Sequence, residues 1–114
     1  MQPALPKPVK KKLAELVCSA HEKALRQELL KLQTDFDRWQ RGEIDSFDLA
    51  DLIHKFHDGP SREIYKQFTY PRNADLPMIA AYAIQARLLD AADIPSDAVP
   101  YVDDWLGPAK RPGE

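Results

Sequence analysis

The sequence predicts an all-α protein of four to five helices, with a long N-terminal helix packed on a small bundle. Three observations carry this prediction. From Val9 to Arg41 there is neither proline nor glycine, so nothing interrupts a helical hydrogen-bond ladder. Between Asp45 and Arg62 a helix start signal, an apolar stripe and a stop signal follow in order. Sustained period-two alternation, the mark of a half-buried strand, occurs nowhere in the chain.

Composition narrows the class further. A chain of 114 residues, 44% of them hydrophobic, has enough apolar material for one core. The net charge of −2 speaks against a general nucleic-acid binder, whose domain is usually basic. That near-balance conceals an asymmetry. Residues 1–41 carry nine Lys/Arg against five acids, a net +4, whereas residues 42–114 carry seven against thirteen, a net −6. Charge halves of opposite sign favour association, within a chain or between chains. Cys18 is the sole cysteine, so no intrachain disulfide forms, which suits a reducing compartment. The N-terminus lacks the apolar region of a signal peptide. The longest apolar run, Pro77 to Ile84, falls far short of the ~20 residues that span a bilayer. The expectation is a cytoplasmic protein without a membrane partner.

In chain order, the three prolines of residues 1–8 predict a flexible arm, followed by a single helical domain over residues 9–106. Lys7, Lys10, Lys11 and Lys12 form a solvated start to the first helix, or alternatively a weak contact for nucleic acid or an acidic surface. The helix to Arg41 is supported by charge pairs at i,i+4, among them Lys11–Glu15, Glu22–Arg26, Lys31–Asp35 and Asp37–Arg41. Its apolar seam has two parts: Leu13, Val17, Ala20 and Ala24, then Leu25, Leu29, Leu32, Phe36 and Trp39 at coiled-coil-like spacing. About 32 residues make a rod of about 48 Å, whereas a compact chain of this size is about 35 Å across. One end therefore overhangs, or the helix bends. An overhanging segment that still shows Leu13, Leu16 and Val17 needs covering, so these residues with Leu25, Leu29 and Leu32 are the candidate interface of a homodimer.

Gly42 supplies a left-handed cap in the connection that follows. Asp45 or Ser46 starts the next helix, with Asp48 facing the positive end of its dipole. Leu49, Leu52, Ile53 and Phe56 are its apolar stripe, and Gly59-Pro60 predicts its end. A short helix from about Ser61 to Phe68 comes next, with Pro60 at its first position and Ile64, Tyr65 and Phe68 inward. After a turn at 70–73, Asp75 caps a helix from Leu76 to about Ala91 that is apolar nearly all round, the mark of a central helix. Gln85, Arg87 and Asp90 are where it meets water. Asp93-Ile94-Pro95 ends it, and a last short helix presents Tyr101, Val102, Trp105 and Leu106 to the core. Residues 107–114 read as a flexible tail.

Few constellations suggest chemistry. If Gly42 is set at the sixth position of a calcium loop, Trp39 and Arg41 occupy ligand positions that need oxygen, which excludes an EF-hand. Asp51, His54 and Asp58 form a polar row on one helix, with His57 at its edge. Imidazole and carboxylate are the ligands of transition-metal sites, so His54 and His57 are weak metal candidates. A complete site would need Glu63, His21 or a second chain. A solvated or hydrogen-bonding face is the plainer reading. Arg62, with Arg72, offers an anion contact near the Gly59-Pro60 bend, where a helix start exposes N–H groups. Cys18 lies beside the apolar seam and reads as a core residue, not as a thiol activated by His21. No phosphate loop is present, and no catalytic residue or cofactor is assigned.

Over Gly42 to Arg62, with I-H-x-F-H-x-G-P-x-R at its end, the chain resembles small bacterial helical proteins of unassigned function. That resemblance implies an all-helical cytoplasmic protein of bacterial origin and no activity. The sequence therefore predicts a non-enzymatic protein that acts through protein–protein interaction as a homodimer or with another protein. One alternative is a metal-dependent or anion-binding enzyme using Asp51, His54, His57 and Asp58. The other is a nucleic-acid-associated regulator acting through Lys7 to Lys12.

Overall fold

A computed structural model describes residues 5–69 and 76–106. Its helices are α1 (Lys7–Gln40), α2 (Ser46–Phe56), α3 (Arg62–Thr69), α4 (Leu76–Gln85) and α5 (Val99–Leu106), and the described residues contain no strand. A π-helical turn, His57–Ser61, joins α2 to α3, and a 3₁₀ turn, Ala91–Asp93, precedes α5. The fold class is all-α, as the sequence predicts.

The core forms around α4. Leu76, Ile79, Ala80, Ala81, Ala83 and Ile84 are buried, and α1 and α5 pack against this helix. The contributions of α1 come from its first half: Val9, Leu13, Val17, Ala20 and Ala24 are its buried residues. Small side chains on both helices allow close approach. Leu13, with no exposed surface, gains about 1.5–3 kcal/mol from leaving water. Val102 and Leu106 of α5 close the other side.

Helix α1 begins at Lys7, earlier than the sequence suggests, because Pro6 caps it and Pro8 fits its first turn, where no hydrogen-bond donor is needed. Leu5 packs against the core, so the flexible arm read over residues 1–8 does not extend to residue 5. Residues 1–4, the turn at 70–73 and the tail at 107–114 lie outside the described residues, as do Arg72 and Asp75.

Two predicted boundaries change. The central helix stops at Gln85, not near Ala91. Arg87 adopts φ 62°, the Arg87 N–H donates to the Ile84 carbonyl at 3.0 Å, and the Leu88 N–H to the Ala83 carbonyl at 2.8 Å. This is a Schellman closure with an arginine in the left-handed position. It returns Leu88 to the core, which is why Leu88 mimics one more helical turn in the sequence.

Gly59-Pro60, in turn, does not stop its helix. The chain stays helical from Ser46 to Thr69 by widening to a π turn at His57–Ser61, which accommodates a residue with no N–H and a ring that would crowd an α-helical carbonyl. The turn also sets register. At 100° per residue, an unbroken α-helix would place Ser61, Ile64 and Phe68 about 100° from the stripe of Leu49, Leu52 and Phe56. One extra residue in the turn realigns the two stripes. Phe68 is buried and Ile64 packs on the core, while Tyr65, predicted to face inward, is 52% exposed.

The molecule is long. Its extents are 55 × 29 × 21 Å and its radius of gyration 17.6 Å, against about 13 Å for a compact chain of this length. The overhang exists, at the end opposite to the one expected. The second half of α1 runs out beyond the core with α2 folded back along it, and Leu49 is the buried residue of α2. Leu13 and Val17 lie in the core and Leu16 packs against it, so these three cannot form the uncovered surface.

Candidate functional site

The protruding arm is a helical hairpin with a well-fixed tip. Gly42, at φ 78°, ends α1, with the Gly42 N–H donating to the Trp39 carbonyl at 3.0 Å and the Glu43 N–H to the Arg38 carbonyl at 2.9 Å. Asp45 starts α2 through a reciprocal capping box. The Asp48 N–H donates to Asp45 Oδ1 at 2.8 Å and the Asp45 N–H to Asp48 Oδ2 at 3.1 Å. Across the hairpin, Trp39 Nε1 donates to Ser46 Oγ at 3.1 Å. Phe36 meets Trp39 edge to face, with ring centres 6.5 Å apart.

The two sides of this hairpin differ. One carries a groove of about 170 Å³ bordered by Glu28, Lys31, Asp35 and Lys55, with Leu52 and Phe56 beneath. Lys31 pairs with Glu28 at 2.7 Å, and Arg38 with Asp35 at 3.6 Å. The other side exposes more apolar surface, beside the Glu22–Arg26 pair at 3.5 Å. On α1, Leu29 lies about 160° around the wheel from Lys31, and Leu25 and Phe36 fall beside Leu29. On α2, Ile53 likewise lies about 160° from Lys55. Leu29 is 46% exposed, Leu30 53%, Phe36 39% and Ile53 40%. A shallow depression of about 300 Å³ runs along α1 there, lined by Glu22, Leu25, Arg26, Leu29, Leu30 and Gln33. Of the candidate interface residues, Leu25 and Leu29 lie on this side of the arm, whereas Leu32 is half-buried and lines the groove on the opposite side. Leu30, Phe36 and Ile53 are absent from the interface the sequence predicts: Leu30 falls outside the four-three seam, Phe36 reads only as part of that seam, and Ile53 only as part of the α2 stripe.

The polar face on α2 does not assemble into a site. Asp51, His54, His57, Asp58 and Arg62 are all exposed, and Asp51 pairs with Lys55 at 3.2 Å. Among the described residues no group of three or more His, Cys, Asp or Glu side chains is placed to hold a metal ion. His21 stacks on Phe68, with ring centres 5.0 Å apart and planes 4° from parallel. Phe68 in turn meets Tyr82, so His21 helps join α1, α3 and α4. The anion reading of Arg62 required a fresh helix start after Pro60, and the continuous helix leaves none. Cys18, expected in the core, is exposed, on the side of α1 away from α4. Lys7, Lys11 and Lys12 are exposed on the first turns of α1.

A second concavity was not legible in the sequence. An open cleft of about 1080 Å³ separates α1 from the segment after α4, with Leu16, Leu88 and Leu89 along its floor and Lys23, Arg87, Asp90 and Asp93 at its rim. It exists because α4 ends early. Its charges are of both signs and exposed, and Asp90 is engaged as the cap of the 3₁₀ turn, accepting from the Ala92 N–H at 2.9 Å.

Compared with known proteins, the chain matches no family model, no curated protein and no solved structure. Among the described residues no helix is long and apolar enough to cross a membrane. Among the described residues, what the arrangement offers is exposed apolar surface along the arm.

Proposed function

We propose that the protein is non-enzymatic and acts by binding another protein chain through the apolar outer face of its arm. One observation carries this reading: Leu25, Leu29 and Leu30 line one exposed depression on a protruding hairpin, and the helical period sets exposed Phe36 beside Leu29 and turns exposed Ile53 away from Lys55. Exposed apolar side chains scattered singly mean little, but a contiguous patch marks an interaction site. The tip contacts fix the hairpin before any partner arrives, which lowers the entropy lost on binding. The lone exposed thiol of Cys18 fits a cytoplasmic setting.

The test is a photo-crosslinking amino acid placed at position 29, with position 66 on α3 as the control. Crosslinks to protein, this chain included, are expected from position 29 and not from position 66. Absence of any protein crosslink from position 29 at cellular concentration would overturn the reading.

A further inference from the structure

Resting on that reading, we infer that the chain covering the arm is a second copy of this protein, bound antiparallel so that two hairpins pair face to face as four helices. Area and charge both lead there. From Leu25 to Gln40 the arm is about 24 Å long, and two helices side by side are about 20 Å wide. A pair of such faces buries roughly 1,000 Å², the lower edge of a specific interface. Identical hairpins, each with one apolar side, complete one another as a four-helix bundle. The result is a reversible dimer.

Charge fixes the orientation. Residues 7–12 hold four lysines and no acid, while residues 35–51, at the tip, hold six acids and two arginines. These are regions of +4 and −4. Lys7, Lys11, Lys12 and Cys18 are exposed on α1, and Lys10 is half-buried. A parallel pairing sets +4 beside +4. The antiparallel pairing centres on the midpoint of Leu25 and Phe36, near residue 30, and brings Leu25 of one copy to Phe36 of the other. It points each acidic tip at the other copy's lysines, with Lys12 about 12 Å and Lys7 about 20 Å beyond the end of α1 along the axis, inside the screening length at low salt. The charge asymmetry of the sequence thereby becomes an orientation signal.

The sole cysteine supplies a built-in ruler. It sits about 12 residues from the proposed centre, so two spin labels on Cys18 should lie about 38 Å apart in the antiparallel dimer. A parallel pair would hold them within about 20 Å. Sedimentation equilibrium between about 10 and 200 µM, the range of weak pairing near this interface size, should show the mass rising from 13.0 kDa to twice that value. Leu29→Glu and the milder Leu29→Ser should each stay monomeric with unchanged helical circular dichroism. Lys11→Glu with Lys12→Glu should weaken pairing about tenfold at low salt and much less at high salt. A monomer throughout the range, a dimer indifferent to both Leu29 variants, or a label separation below 20 Å would each overturn the inference. Crosslinks from position 29 to a different protein, with this chain monomeric, would sink the second-copy inference and leave the broader reading standing.

Discussion

Arg87 and Gly42 close their helices by the same pair of backbone hydrogen bonds, yet only one of them is a glycine. A Cβ on Gly42 would meet nothing within 4 Å, so the glycine answers to its φ of 78° and not to crowding. An L-residue in that conformation is disfavoured by about 1–2 kcal/mol. Arg87 bears this penalty at φ 62°. Arg87→Gly is therefore expected to raise stability by about 0.5–1 kcal/mol, after the extra backbone entropy glycine loses on folding. Urea denaturation measures the change, and a fall in midpoint would show that the arginine side chain contributes more than its backbone strain costs. The capping box gives a prediction of opposite sign. Asp45→Ala removes the acceptor for the Asp48 N–H and should lower stability by about 1 kcal/mol, seen as a lower melting temperature. Gly42 and Asp45 were legible in the sequence because a cap acts through its own backbone and nearest neighbours. Arg87 was not, because nothing local distinguishes an arginine in the left-handed region from one in a helix.

At the scale of elements, the π turn explains why Gly59-Pro60 misleads as a stop signal. The apolar stripes before and after it were readable, but whether the chain ends or widens there is decided by tertiary packing. Phe68 must reach His21 and Tyr82 while Leu49, Leu52 and Phe56 face α1. Both demands are met if one residue is treated as extra. Deleting Pro60 should then leave a continuous α-helix with both stripes still aligned, and the melting temperature within a few degrees of the parent or above it. Inserting one alanine after Pro60 rotates Ile64 and Phe68 by about 100° and should cost about 3 kcal/mol, the scale of losing a buried aromatic. Thermal denaturation of the two variants separates the cases. Equal damage from both would mean that the turn does not set the register. In α4 likewise, Leu88 and Leu89 fit one more helical turn on the wheel, and only the fold shows the chain turning at Arg87.

For the whole molecule, helix length alone predicted the overhang, and side-chain size decides which end overhangs. The seam of Leu25, Leu29, Leu32, Phe36 and Trp39 has the larger apolar groups. Yet α4 presents Ala80, Ala81 and Ala83, all buried, and the helix that can approach such a surface closely is the stretch of α1 bearing Ala20 and Ala24. The body therefore forms on the first half of α1, and the second half is left to the arm. This division has an energetic consequence. The body buries residues from α1, α4 and α5 in one continuous cluster, to which Phe68 of α3 also belongs, whereas α2 buries Leu49 alone, outside that cluster. Local opening follows the apolar contact a segment gives up. In dilute solution, where copies are apart, the amides of Ile53–Phe56 should exchange with deuterium at a free energy roughly 2 kcal/mol below those of Ile79–Ile84, about a thirtyfold difference in protection. Equal protection would mean that arm and body unfold as one unit, with the tip contacts holding α2 as firmly as the core holds α4. Raising the concentration should slow exchange in the arm and leave the body unchanged, because only the arm gains a cover when chains meet.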